Sequence, residues 1–265
     1  MTDGQLLVGQ TGGDPLPKTI SGDAGGVSAA GGLTINRVSG TTTNDNAPTG
    51  KVGEFMSCLG SNQSAAVTIT IASPGVITWT GHGLTTAAAF TLTTTGALPT
   101  GLTAGTTYYA IVLNSNTIEA ATSVANAFAG TPVNTSGSQS GTQTGTASAN
   151  LANAVPVDIC GLQLTAGDWD IYGFGYIVPA NTTTVTSVIS SVSSTANTLD
   201  LSTLGAAYIN RFSTFTSAGL GMGGFTNGPV RASLSGTTVY HLVNQSSFAT
   251  STATGYGGIR ARRVR

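Results

Sequence analysis

The chain has 265 residues, enough for one large domain or two to three small ones, and only 7% of them are charged, where about 25% is usual for a soluble globular protein. Its formal net charge is −1, so no overall field attracts it to nucleic acid or anionic lipid. No stretch approaches the roughly 20 apolar residues of a membrane helix. The first residues, MTDGQLLVGQTGGDPLP, lack the basic and then apolar pattern of a signal peptide.

The polar residues are mainly Thr, Ser, Asn and Gly rather than Lys and Glu. Thr and Val favour pleated, half-buried strands, strong helix formers are scarce, and no 3.6-residue apolar stripe is present, so we predict a mainly β chain of the all-β class. Hydrophobic residues make up 40% of the chain, which limits disorder to short pieces. Because the chain has few charged residues for a large surface, we expect that surface to be covered by partners or by other copies of the chain.

Residues 1–51 offer little material for a core. Short strand-like pieces, QLLV at 5–8 and LTINRV at 33–38, alternate with clusters of Gly, Pro, Asn and Asp that mark turns. Such a segment does not fold alone. We therefore predict an extended N-terminal arm that becomes ordered on a partner.

The rest of the chain reads as a β-domain interrupted by a smaller one. VGEFMSCL, at 52–59, is a predicted strand, and the runs between 66 and 130 are separated by Pro and Gly turns, which indicates a small β-module. Low-complexity sequence at 131–148 predicts a loop or linker. Later strand signals have the short, regular turns of a β-sandwich or jelly roll. The predicted organisation is a module at 66–146 inserted into a sandwich formed by 52–65 and 147–265.

The two cysteines, Cys58 and Cys160, are far apart in the sequence. Neither belongs to a CxxC motif, so a metal site is not expected. Two buried thiols are favoured over a disulfide, although the sequence is compatible with both.

Three stretches resemble segments of bacteriophage virion surface proteins, the family of short tail or head fibres and capsid decoration proteins. GQLLVGQTGGDPLPKTI is similar to the start of many fibre proteins. VITWTGHGLTTAAAFTLTTTGALPTGLTAGTTYYAIVL is similar to a small β-module of phage tail and surface proteins. LQLTAGDWDIYGFGYIV, together with the ending VYHLVNQSSFATSTATGYGGIRARRVR, resembles a C-terminal β-domain of the same proteins.

The resemblance implies a structural protein of the virion, assembled in the cytoplasm of a bacterial host, that is a homotrimer with a jelly-roll-like C-terminal domain. It implies that the arm binds other virion proteins, of capsid or tail, and we expect Gln5, Leu6, Leu7 and Val8 to make that contact. It supplies no catalytic residues, and we predict neither an enzyme nor a cofactor. A second hypothesis is a module that binds a host surface glycan. Neither hypothesis involves nucleic acid or membrane.

The stretch GDWDI contains a pair of carboxylates. In a strand Asp168 and Asp170 share one face, as an acid–base pair or a calcium site would require. The favoured interpretation is an outward polar pair, with Trp169 and Ile171 in the core.

Tyr172, Phe174 and Tyr176 continue on the same face of the predicted strand, with glycines between them. This aromatic row is a candidate sugar-stacking platform. Burial against a second sheet or a neighbouring subunit is favoured, because aromatic side chains supply most of the area in cores and subunit contacts.

The two histidines, His82 and His241, lie in different predicted modules, so a shared catalytic or metal site is not expected. Each is interpreted as a packing or turn residue. No GxSxG or GxxxxGK[ST] motif accompanies the many serines.

The ending GYGGIRARRVR concentrates arginine. A nucleic-acid tail would be a longer basic block that includes lysine, whereas apolar residues are interleaved here. This favours a closing strand at or near a subunit interface over a frayed, exposed end. Its predicted interface residues are Tyr256, Ile259, Arg260, Arg262 and Arg263. The alternation slips at Arg262–Arg263, so we expect the chain to bulge or to leave the sheet there.

Overall fold

Runs of β-branched and aromatic residues, broken by Gly, Pro and Asn turns, set the architecture of this chain. A computed structural model describes the backbone of residues 5–10, 13–19, 26–27, 33–34, 46–216 and 222–265, and the side chains of residues 46–211 and 224–265. The described residues form nineteen strands and one short helix. The prediction of an all-β fold is confirmed, with this helix as an exception.

The chain divides into two compact units, Met1–Phe55 with Arg263–Arg265, and Met56–Arg262. The described strands of the first unit form two antiparallel pairs: β1 (Gln5–Gln10) with β2 (Gly13–Thr19), and β3 (Gly26–Val27) with β4 (Leu33–Thr34). The predicted anchoring residues belong to β1. Their side chains lie outside the described residues, so their role stays a prediction.

Six strands of the second unit close into a small antiparallel barrel, preceded by β5 (Phe55–Leu59). They are β6 (Ser64–Ile69), β7 (Val76–Thr78), β8 (Ala89–Thr94), β9 (Thr107–Asn114), β10 (Thr117–Ala121) and β11 (Gln143–Thr146). Around the barrel their order is β10, β7, β6, β11, β8 and β9. The barrel accounts for most of the predicted module at 66–146.

A cluster of buried aromatic rings fills the barrel. Trp79 and Phe90 meet edge to face with ring centroids 6.4 Å apart. β11 passes this cluster at Gly145, where a Cβ would lie 2.6 Å from Trp79 Cζ3. The prediction of a loop or linker at 131–148 is therefore wrong for β11, where Gly145 allows close packing against a large ring.

α1 (Val124–Phe128) follows β10 and is a helix that the sequence analysis missed. Five residues are too few to show a 3.6-residue pattern. The readable signal is the N-cap, where Ser123 Oγ accepts a hydrogen bond from the Asn126 amide at 3.1 Å.

Two antiparallel sheets follow the barrel and pack face to face as a sandwich. Their strands are β12 (Ala149–Leu151), β13 (Val157–Leu164), β14 (Gly167–Pro179), β15 (Thr184–Ser193), β16 (Ala207–Thr216), β17 (Met222–Leu234), β18 (Thr238–Ala249) and β19 (Ala253–Arg263). One sheet has the order β12, β19, β14, β17, with β5 also paired to β19, and the other has the order β13, β18, β15, β16. The prediction of a sandwich is confirmed at this level.

The barrel and the sandwich meet at β13. Cys160 forms a β-bridge with Ala88 of the barrel, and the Gly161 amide donates a hydrogen bond to the Ala87 carbonyl at 3.1 Å. Cys160 also forms a disulfide with Cys58 of β5, with the Cα atoms 6.0 Å apart. The expectation of two buried thiols is wrong. The whole barrel separates the cysteines in sequence, and only the return of the chain to β5 brings them together.

A buried hydrogen-bond cluster surrounds Asp158 beside this junction. The Asn197 amide donates to Asp158 Oδ1 at 2.7 Å, and His241 Nδ1 lies 2.9 Å from Asp158 Oδ2. The Tyr109 hydroxyl, from the barrel, donates to the Asp158 carbonyl at 3.0 Å. Burial, reinforced by the Asp158 charge, raises the pKa of Tyr109, so its hydroxyl keeps the proton that it donates.

Replacing both cysteines by serine is expected to lower the free energy of unfolding by about 4 kcal/mol, because the disulfide closes a long loop in the unfolded chain. Thermal unfolding with and without reductant checks this. Reductant should lower the midpoint of the natural protein and leave that of the C58S/C160S variant unchanged. Equal midpoints for the two proteins without reductant would contradict the prediction.

Candidate functional site

β14 places two kinds of side chain on its two faces. Trp169 and Ile171 point into the sandwich and are fully buried, as the sequence analysis predicted. Tyr172, Phe174 and Tyr176 lie on the outer face and are partly exposed. The alternation follows from the two-residue period of a strand.

Glycines occupy core positions opposite the aromatic row. A Cβ on Gly173 would lie 2.7 Å from Val192 Cγ2, and one on Gly175 would lie 2.5 Å from Ser190 Oγ in the second sheet. Neither position has room for a larger side chain. This part of β14 therefore carries its large side chains outside the core, which reverses the usual pattern of a half-buried strand.

β19 lies beside β14 and adds to the same outer face. The Tyr256 ring stacks on the Tyr176 ring, with centroids 4.9 Å and planes 4° apart. The Arg260 guanidinium carbon lies 5.6 Å from the centroid of the Tyr172 ring, a cation–π contact. Burial raises the pKa of the Tyr256 hydroxyl, and Tyr176 adds to the rise. Both strands thus contribute to one surface.

We call this surface the aromatic face, consisting of Tyr172, Phe174, Tyr176, Tyr256, Gly258, Arg260 and Arg262. Gly258 leaves space for the neighbouring ring, because a Cβ there would lie 2.7 Å from Phe174 Cζ. The face joins the predicted glycan platform to part of the predicted interface. From the sequence alone these are two separate sites, because nothing in the order of residues shows that β14 and β19 are neighbours.

The last strand keeps its alternation through Arg262 and Arg263. Ile259 is buried in the core, while Arg260 and Arg262 are exposed. Arg263 is buried, and its Nε donates to Glu54 Oε2 at 2.9 Å. The predicted closing strand is confirmed, but the expected slip is wrong, because a carboxylate compensates the buried guanidinium. Ile259 and Arg263 therefore face the interior of their own chain.

The carboxylates of GDWDI share one cation from β17. Arg231 Nη1 lies 3.2 Å from Asp170 Oδ1, and Arg231 Nη2 lies 3.4 Å from Asp168 Oδ2. Asp170 is partly exposed, as the interpretation of an outward polar pair requires, but Asp168 is buried, so the interpretation is wrong for Asp168. The arginine side chain is 52% exposed, so the ion pairs add little stability.

The histidines lie apart and serve local structure. His82 Nδ1 accepts a hydrogen bond from the Leu84 amide at 3.0 Å, and its Nε2 lies 2.9 Å from the Asn114 carbonyl, so Nε2 carries the proton. This is the turn role that the sequence analysis favoured. His241 belongs to the buried cluster around Asp158.

The barrel wall carries a shallow groove of about 370 Å³. Its lining residues are Ala66, Val67, Thr68, Ile69, Gln139, Ser140, Gly141, Thr142 and Gln143. The carboxamide Oε1 atoms of Gln139 and Gln143 are buried there without a hydrogen-bond donor. The groove offers hydrogen-bonding groups but no general acid or base.

Within residues 46–211 and 224–265, no group of three His, Cys, Asp or Glu side chains is placed to hold a metal ion. The one described helix is too short to cross a membrane. No protein-family model and no curated protein matches the chain.

Replacing Gly175 by alanine is expected to lower the free energy of unfolding by about 1–3 kcal/mol, because the added methyl group overpacks the contact with Ser190. The matched control is Gly236→Ala, where a Cβ would meet nothing within 4 Å. That change should stay within about 0.5 kcal/mol. Urea unfolding measures both, and equal stability of the two variants would contradict the close approach of the sheets.

Proposed function

We propose that this protein is a structural component of a bacteriophage particle, a homotrimeric fibre or decoration protein. Residues 1–51 attach it to other virion proteins, and the β-domains project from the particle. The copies associate through the aromatic face, and the C-terminal sandwich has jelly-roll connectivity. The observation that carries the proposal is this face, where aromatic rings and guanidinium groups point outward while glycines occupy the core side.

The placement of the rings favours a protein contact. Aromatic side chains stabilise a structure mainly through the apolar area they bury. On β14 that area lies outside the sandwich, where partly exposed rings of Tyr172, Phe174 and Tyr176 form a continuous row. Contiguous exposed apolar surface of this kind marks interaction sites. The glycines at the core positions keep large side chains out of the sandwich at this point. Another subunit that covered the aromatic row would bury the apolar area of the rings instead.

The charges of the aromatic face support the same conclusion. Arg260 and Arg262 have no carboxylate partner among the side chains that the structure describes. Guanidinium groups favour planar, bidentate contacts with carboxylates. Two such groups beside an aromatic row suit a partner surface that combines apolar side chains with negative charge. The resemblance of three segments to phage surface proteins supplies the biological setting.

The alternative function is recognition of a host surface glycan by the same face. The parallel Tyr176 and Tyr256 rings and the neighbouring arginine are groups that can contact a sugar ring and its substituents. Under this alternative the face would stay open to solvent in the assembled particle. The two functions thus differ in what covers the aromatic face.

Light scattering of the natural protein should give a mass near three times 26.3 kDa. The double variant Y176S/Y256S removes the stacked pair and should shift the mass to that of one chain, with circular dichroism unchanged. Leu113→Ser is the matched control, since Leu113 is 49% exposed on the barrel, and it should remain a trimer. A natural protein of single-chain mass would overturn the trimer.

Binding of labelled protein to host cells separates the alternative. If Y176S/Y256S keeps the trimer mass but loses cell binding, the face is a glycan site and not the subunit contact. Deleting Ile259–Arg265 cannot decide between them. It would remove core residues and half of the central strand β19, so loss of the trimer would only report unfolding.

A further inference from the structure

The loop between β15 and β16 presents leucine side chains to solvent. Leu204 is 95% exposed and Leu201 is 59% exposed. The loop is an ordered turn, because Asp200 Oδ1 accepts hydrogen bonds from the Ser202 and Thr203 amides at 3.0 and 2.9 Å. The turn therefore holds two exposed apolar side chains close together in the sequence, where a partner can contact both.

Both ends of this loop are tied to the sandwich. Ser191 Oγ donates to the Asp200 carbonyl at 3.1 Å and accepts from the Asp200 amide at 3.0 Å. At the other end, the Gly205 carbonyl accepts a hydrogen bond from the Gly228 amide of β17 at 2.7 Å. The exposed leucines are therefore held in place before any partner arrives, which reduces the entropy that binding would cost.

The loop also carries a negative charge that no cation neutralises in the described side chains. Burial acts to raise the pKa of Asp200, but hydrogen bonds from Thr203 and Ser202 outweigh it and lower the pKa to about 2. Asp200 is therefore ionised near neutral pH. Among the described acidic side chains, only Asp200 and Glu119 take part in no ion pair. Glu119 lies on β10 of the barrel, beside the strand β9 that carries the exposed Leu113, whereas the loop at 200–204 presents two exposed leucines on one turn.

We propose that the loop at 200–204 of one copy docks on the aromatic face of the next copy. Asp200 approaches Arg260 and Arg262, and the leucines lie against the tyrosine and phenylalanine rings. This inference rests on the proposed self-association and adds which two surfaces meet. In this docking the exposed leucines contact the aromatic rings. The Asp200 carboxylate, which has no ion pair among the described side chains, lies near two guanidinium groups that also have none.

The pairing of two different surfaces also fixes the kind of symmetry. Two aromatic faces meeting each other would bring four guanidinium groups together, which like-charge repulsion disfavours. A loop on one copy and a face on the next form a heterologous contact, which closes into a ring when the rotation allows. A ring of three copies then leaves no loop or face uncovered.

Cross-linking the double variant S202C/T254C with a short bis-maleimide tests the contact. Ser202 is exposed beside the two leucines and Thr254 is partly exposed two residues before Tyr256, so the leucines, rings and charges of the contact are kept. The natural cysteines are joined to each other, so the new thiols are the ones that react. Denaturing gels should show covalent species up to three chains. In the matched control L113C/T254C the first cysteine lies on the barrel, and it should give single chains.

The outcomes separate this inference from the proposed function. A trimer by light scattering that yields no three-chain product from S202C/T254C, or equal product from the control, overturns the docking and leaves the trimer standing. A natural protein of single-chain mass overturns both. Cross-linked trimer from S202C/T254C alone supports the docking.

A double-mutant cycle gives a second readout on intact, folded protein. D200N and R260Q should each weaken association at least tenfold, measured by dilution with sedimentation analysis. The double variant D200N/R260Q should lose less affinity than the sum of the two single losses, because both changes remove the contact between Asp200 and Arg260. Additive losses would mean that the two residues meet different partners and would overturn the pairing.

Discussion

The close approach of the two sheets at Gly173 and Gly175 is the constraint on which the sandwich depends. Because Val192 and Ser190 of the facing sheet leave no space for a Cβ, β14 cannot place large side chains inward along this stretch. Its aromatic residues must occupy the outer face. The neighbouring strand β19 follows the same rule, with small residues inward at Gly255 and Gly257 and Tyr256 outward.

This arrangement leaves a polar centre in the sandwich. Asn227 Nδ2 donates to Ser190 Oγ at 3.0 Å, and Asn244 Nδ2 donates to the Tyr176 carbonyl at 3.2 Å. Hydrogen bonds between buried groups specify geometry more than they add net stability. The apolar stabilisation therefore comes largely from the barrel, from the rest of the sandwich core and, in our proposal, from contacts between copies. A chain with 7% charged residues suits a protein whose outer surfaces are shared.

The fold class and the strand positions were predictable from the sequence because strands have a short, local signature. Trp169 and Ile171 could be assigned to the core from alternation alone. Pairing between distant strands has no such signature, and so the disulfide and the union of β14 with β19 were missed. The strand at Gln143–Thr146 was not predicted because its sequence has the composition of a loop. Its Gly145 is a packing residue, since a Cβ at this position would clash with the ring of Trp79. The alternation continues through Arg263 because its buried guanidinium pairs with Glu54. Glu54 lies 209 positions earlier in the sequence, so the local pattern does not show this contact.

The position of β19 between β14 and the strands β5 and β12 orders events during synthesis. The barrel strands lie within residues 64–146 and can pair as soon as that segment has left the ribosome. The sheet that carries the aromatic face has a gap at its centre until residues 253–263 arrive. Until then β14 and β5 expose unpaired edges, which attract other chains. Because the barrel can form first while this sheet still lacks its central strand, the interval before residues 253–263 are synthesised is the one in which this protein is most prone to aggregate.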